Sequence, residues 1–361
     1  MKIDFAKLQY QYQLYKAEID EAIHKVLDNS NYIMGNEVRE LEENLQNFTG
    51  AKHAITCSSG TDALLLAMLA LDIQPDDEII TTPFTFIATA ETIAFLKAKP
   101  VFVDIDEKTY NIDASKVEEK ITQKTKAIMP VSLYGQPANM DAIQAIADKH
   151  NLKVIVDGAQ SFGSTYYGIT DSNLGDISCT SFFPAKPLGC FGDGGAVFTN
   201  DDILAAQIKS LRVHGQSKRY HHQYIGMGGR MDTLQCAVVD VKLKYYAKDL
   251  KRRQEVAEKY TKALEKKDLV LPFVDSRATS AWAQYSVRIQ NRDEIQAQLK
   301  EQGIPTAVHY PMPLHLQECF VYLDYKNGDF PVAEKVSEEI MSLPMNPYLD
   351  DDEIFYICEK L

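Results

Sequence analysis

Between residues 51 and 200 the chain alternates short apolar runs with helical patterns, and this alternation restricts the fold more than any other feature. The runs His53–Cys57, Glu78–Thr81, Pro100–Val103, Ala127–Val131, Val154–Asp157, Ile177–Phe183 and Gly195–Thr199 read as strands. Helical patterns at 61–71, 85–96, 113–121 and 139–150 fill most of the gaps. Such an order builds an α/β fold, a mostly parallel sheet with helices on both faces. Ligands of open α/β sheets sit at the carboxyl ends of the strands. The residues at those ends are therefore the first candidates for function.

Three stretches stand out there. Lys153–Gln160 (KVIVDGAQ) is a strand ending in Asp157, with Gln160 three residues on; a carboxylate here suits a pyridinium nitrogen or, more plainly, caps a turn. Thr180–Asp201 carries Lys186 between Pro184 and Pro187, near Phe182, Phe183 and Phe191, ahead of a glycine-rich loop. A lysine so walled loses hydration, its pKa falls, and it becomes able to attack a carbonyl; a solvated loop lysine is the plain alternative. Ser58-Ser59-Gly60-Thr61-Asp62 precedes an apolar helix. Gly60 lets the backbone approach an anion, and the free N–H groups of a helix start attract phosphate. Taken alone, this stretch is a simple N-cap.

The set SSGTDAL, Phe86, D-x-x-Q at Asp157 and Gln160, and S-F-F-P-x-K ending in Lys186 resembles the DegT/DnrJ/EryC1/StrS sugar aminotransferases, in one order over nearly the whole chain. Within that family CTSFFPAKPLGCFGDGG, VHGQSKRYHH, PTAVHYPMPLH and SLPMNPYL resemble the enzymes that aminate UDP-2-acetamido-2-deoxy-3-oxo-glucuronate. The resemblance implies an aspartate-aminotransferase-like fold (fold type I) and pyridoxal 5′-phosphate held covalently by Lys186, with pyridoxamine phosphate between two half-reactions. It implies Lys186 and Asp157 as catalytic residues. Gly60, Thr61, Phe86, Asp157, Gln160, Ser181 and Lys186 would bind the cofactor, with Phe86 flat against its ring. Phe86 read alone is a core phenylalanine. Glutamate as donor, a UDP-keto-sugar as acceptor, and a homodimer whose sites are completed by a neighbouring loop are likewise implied, as is a role in bacterial O-antigen precursor synthesis. Arg230, His214, His309 and Tyr310 are the candidate sugar-binding residues, His309 being equally readable as structural. Where the family usually carries an asparagine that reaches a phosphate, this chain has Gly228.

Composition sets outer limits. A net charge of −13 disfavours nucleic acid and anionic membrane. Against it, Arg212–His222 (RVHGQSKRYHH) is the densest basic segment, an anion site or a solvated loop. Six cysteines lack metal-like spacing, so no metal is expected, and the reading is a reducing cytoplasm. The first residues lack a signal-peptide pattern, and the longest apolar stretch is too short for a bilayer. Glu37–Phe48 has an amphipathic period, and a helix without Pro or Gly runs from Thr233 to about Glu265. Beyond it come a strand at Trp282–Ile289 and helices at 293–302 and 331–341. The expected division is a large cofactor-binding domain, 1–240, and a linking helix with a small α+β domain, 241–361. Other readings are a different acceptor, such as a 4-keto-6-deoxy sugar; a dehydratase, which would replace the lysine; and a regulator, which would need a DNA-binding module.

Overall fold

The computed structural model describes residues 3–361. Its centre is a seven-stranded sheet: β1 (His53–Cys57), β2 (Glu78–Thr81), β3 (Lys99–Phe102), β4 (Thr125–Ile128), β5 (Lys153–Asp157), β6 (Ile177–Ser181) and β7 (Gly195–Thr199). The order across the sheet is β1-β7-β6-β5-β4-β2-β3, and only β7 runs against its neighbours. All seven expected strands are present. The period-two alternation of β5 shows why: Ile155 packs with Leu66 and Met68 on one face, while Val154 and Val156 pack with Ile143 on the other. Both faces are buried, as parallel sheets require.

Two helical expectations need correction. Residues 113–121 form two short 3₁₀ turns, Ala114–Lys116 and Glu118–Lys120, instead of one helix. Asp113 caps the first by accepting the Ser115 N–H, and Val117 is fully buried between them. The 331–341 helix stops at Glu339, because Ile340–Leu343 is drawn into an antiparallel pair with Tyr285–Arg288.

The helix Thr233–Leu264 spans 32 residues, about 48 Å at 1.5 Å per residue. Its first half packs Cys236, Val239, Leu243 and Tyr246 against Phe162, Phe182 and Phe198 beside the sheet. Its second half packs Val256, Tyr260 and Leu264 with Tyr285, Val287, Met341 and Leu343. One rigid element thus ties both hydrophobic cores and carries side chains into the space between them. Among the described residues no helix is long and apolar enough to cross a membrane.

Candidate active site

Asp157 ends β5, and its carboxylate is buried. Oδ2 accepts the Thr89 hydroxyl (2.7 Å), and Oδ1 accepts the Ala159 N–H (3.2 Å). Burial raises its pKa, while Thr89, Ala159 and the positive charge of Lys186 pull it back.

Lys186 lies beyond β6 in a loop pinned by its own backbone. The Lys186 N–H donates to the Phe183 carbonyl (2.8 Å), and the Cys190 N–H to the Phe182 carbonyl (2.7 Å). A Cβ on Gly189 would stand 2.6 Å from the Pro184 oxygen, so the loop needs glycine there. The aromatic wall is only partly present: Phe182 turns into the core, while Phe183 and Phe191 are exposed. Protein crowds the amine nonetheless, and burial lowers its pKa against the opposing charge of Asp157. The side chain keeps some solvent-accessible surface, as a nucleophile requires.

The third stretch forms a cup. Ser59 is extended and caps the helix Gly60–Ala70, its Oγ accepting the Asp62 N–H (3.0 Å). A Cβ at Gly60 would stand 2.6 Å from the Ser181 Cβ, and one at Gly195 would stand 2.5 Å from the Ser59 oxygen. These glycines let the helix start meet the end of β6. Gly60 and Thr61 present N–H groups without intrahelical acceptors, beside Ser181.

A model of the DegT/DnrJ/EryC1/StrS aminotransferase family matches residues 13–361. The chain belongs to this family. It is 50% identical over 99% of both chains to UDP-2-acetamido-2-deoxy-3-oxo-D-glucuronate aminotransferase of Pseudomonas aeruginosa. It is 46% identical, over its full length and 98% of the relative, to a pleiotropic regulatory protein of Geobacillus stearothermophilus. Among solved structures, NtdA of Bacillus subtilis with bound cofactor PMP superposes with a TM-score of 0.91, at 29% identity, over 99% of this chain and 85% of that one. The chain is accordingly a pyridoxal-phosphate-dependent aminotransferase. Its residues fit that cofactor: a glycine cradle a Cβ would fill, a buried carboxylate, and an amine of lowered pKa converge at the carboxyl ends of the strands.

The remaining family positions divide. Phe86 is 54% exposed, with its ring centroid 6.2 Å from that of Tyr310, while Phe84 takes the core position. A phenylalanine left open at the site has a planar face available to a ring. Gln160 is engaged: its Oε1 accepts the Tyr134 N–H (2.8 Å), and its Nε2 donates to the Tyr310 hydroxyl (3.1 Å). His309 shares a hydrogen bond with Ser342 Oγ (2.9 Å); burial, aided by the charge of Lys186, lowers its pKa to about 4, so it is neutral at pH 7. Ser181 Oγ accepts the Phe183 N–H (3.2 Å).

His214, Gly228 and Arg230 lie together, away from the Lys186 cavity lining. A Cβ at Gly228 would stand 3.3 Å from His214 Nε2 and 3.6 Å from an Arg230 terminal nitrogen. Arg230 Nε is buried without a partner. Arg212 leaves the basic cluster altogether. It is 3% exposed, and its Nη1 donates to Glu42 (2.5 Å) and to the Thr56 carbonyl (2.7 Å). Lys218, Arg219, His221 and His222 stay exposed on a small hairpin. Thr89, which bonds Asp157, and Tyr134, whose N–H holds Gln160, are the residues that sequence reading missed. Thr89 carried a weak signal, a hydroxyl within the first turn of a helix starting at a strand end.

Proposed function

We propose that the chain transfers the amino group of glutamate to UDP-2-acetamido-2-deoxy-3-oxo-D-glucuronate, making a 3-amino sugar for bacterial O-antigen precursors in the cytoplasm. The observation that carries the catalytic reading is the Lys186 amine, lowered in pKa by burial and within the field of the buried Asp157 carboxylate, beside the Gly60 cup. The acceptor rests on the 50% identical relative.

Bound pyridoxal phosphate supplies the electron sink for the charge that develops at the donor's α-carbon. Lys186 would hold it through Nζ, and the same Nζ, when free, would take the proton from that carbon as general base. Its lowered pKa keeps more of the amine unprotonated at neutral pH. Asp157 would keep a proton at the ring nitrogen of the bound cofactor, and Thr89 orients the carboxylate through its hydrogen bond to Oδ2. Phe86 would cover the ring face, and Gln160 would meet the phenolic oxygen. Ser181 Oγ and the Gly60 and Thr61 N–H groups would hold the phosphate. Neutral His309 and Tyr310 line the acceptor side, while Arg230 and His214 meet the sugar's carboxylate or diphosphate. The chain divides into domains 1–240 and 241–361, with the long helix crossing the division. Exposed Phe86, Phe183 and Phe191 support a homodimer whose neighbour closes each site.

Absorption spectroscopy tests the reading. The band of the Lys186-bound cofactor should be bleached by glutamate and restored by the UDP-3-oxo-uronate. Restoration by a 4-keto-6-deoxy sugar instead keeps the enzyme class and overturns the acceptor. Absence of a band after adding pyridoxal phosphate removes the catalytic reading.

A further inference from the structure

A cavity of about 80 Å³ opens beside Lys186, on the side of the long helix and the amino-terminal arm. Lys186, Arg253, Gln284, His309, Gln11 and Tyr348 line its polar side. Arg253 comes from the second half of the Thr233–Leu264 helix and is only 6% exposed. Its Nη1 donates to the carbonyls of Trp282 (2.9 Å) and Met345 (3.4 Å), and its Nε is buried without an acceptor. One turn earlier Asp249 is committed to the Tyr348 hydroxyl (2.9 Å), and no carboxylate pairs with Arg253 among the described residues. Asp249 acts on Arg253 by its charge without a direct salt bridge, and a buried guanidinium bonded only to carbonyls is expensive.

We infer that Arg253, assisted by the Nε2 amide N–H of Gln284, receives the carboxylate of the amino donor beside Lys186. The inference rests on the transamination reading and adds the donor's binding site to it. The cavity of about 80 Å³ has room for a carboxylate with its adjoining carbon. Charge selects the ligand, because a planar guanidinium matches a carboxylate and rejects a plain amine. The amino group of an α-amino acid lies one carbon from its carboxylate, so a carboxylate held here leaves its nitrogen near Lys186. His309, neutral at pH 7, adds a hydrogen-bonding group without competing for the charge.

The test uses the holoenzyme and three variants, Arg253→Gln, Arg253→Lys and Gln284→Glu, each first checked for folding by circular dichroism. Stopped-flow bleaching with glutamate gives the donor half-reaction, and restoration by keto-sugar gives the acceptor half. Calorimetry with glutarate, which has glutamate's two carboxylates and no amine, gives binding without chemistry. Arg253→Gln should weaken glutamate and glutarate by about a hundredfold, as expected for the loss of a charged, desolvated hydrogen-bonding partner. It should leave the sugar half within about threefold. Arg253→Lys should recover part of the loss, and Gln284→Glu, which adds an opposing carboxylate, should weaken both glutamate and glutarate while preserving the Arg253 contacts to carbonyls. Wild-type bleaching by glutamate with unchanged donor binding in Arg253→Gln and Gln284→Glu overturns the inference alone. Failure of glutamate to bleach the wild type overturns the transamination reading instead.

Discussion

Arg212 and Arg253 are both buried arginines in an acidic protein, yet their surroundings differ. Arg212 Nη1 is satisfied by Glu42 and by both oxygens of Thr56, and Glu42 Oε1 in turn accepts the Thr56 N–H (3.0 Å). The cluster is closed in charge, a carboxylate meeting the guanidinium although Arg212 Nε is itself buried without an acceptor, and it joins the helix Asn36–Thr49, strand β1 and the end of the helix Asp202–Leu211. Arg253 Nη1 holds two carbonyls, no carboxylate stands at salt-bridge distance from it among the described residues, and it lines a cavity together with Lys186. A closed cluster contributes to the fold. Open charges around Lys186, Asp157 and Arg253 cost stability, and that cost is expected where chemistry is done.

The sharpest way to break the comparison is at its open end. Lys186→Ala should abolish the cofactor band and turnover, a loss of more than about a thousandfold. Thermal unfolding of the cofactor-free protein should be unchanged or slightly raised, because a desolvated amine has been removed. Surviving turnover would take Lys186 out of the mechanism, and a large drop in the cofactor-free midpoint would make it structural.

Much of this open end was legible in the sequence, because its residues stand where strands stop. Asp157 follows four apolar residues, Gly60 follows β1 and two serines, and Lys186 sits between prolines beyond β6. Apolar runs bounded by glycine and proline likewise disclosed all seven strands. What stayed hidden depends on tertiary contact. Arg212 looks like the rest of RVHGQSKRYHH until Glu42, 170 residues earlier, is brought against it. Arg253 lies among charged helix residues, and nothing in KDLKRRQEV separates it from Arg252, which bonds the Leu349 carbonyl nearer the surface. Phe84 and Phe86 are two residues apart, and only packing decides that the first is core and the second open. The helix expected at 331–341 ends at Glu339 because Ile340 and Met341, which continue its apolar pattern, pair instead with Tyr285–Arg288.

At the closed end, Arg212→Met should lower stability by about 3–5 kcal/mol, the usual cost of leaving one member of a buried pair unpaired. Chemical denaturation would measure it. Glutamate and sugar binding in the folded variant should stay at wild-type values, since Arg212 reaches no cavity beside Lys186. A selective loss of sugar binding with stability retained would return Arg212 to the anion-binding residues and erase the distinction between the two arginines.

Asp171 sharpens the comparison with a smaller effect, because it is buried behind the site and is only half closed. It accepts the hydroxyls of Ser132 (2.9 Å) and Ser161 but has no cation. Burial pushes its carboxyl up to about 6, the two serines opposing. The folded value lies above the unfolded one of about 3.9, so between those values the folded state binds more protons. Stability therefore falls as pH rises through that window, and the full penalty is present above pH 6. Asp171→Asn should remove it, raising stability at pH 7 by on the order of 1–2 kcal/mol with little change at pH 4. Denaturant midpoints at the two pH values measure the difference. A variant destabilised equally at both would mean that the charged carboxylate, with its two serine donors, behaves as the Glu42 cluster does, and that the open region begins at Asp157 instead of behind it.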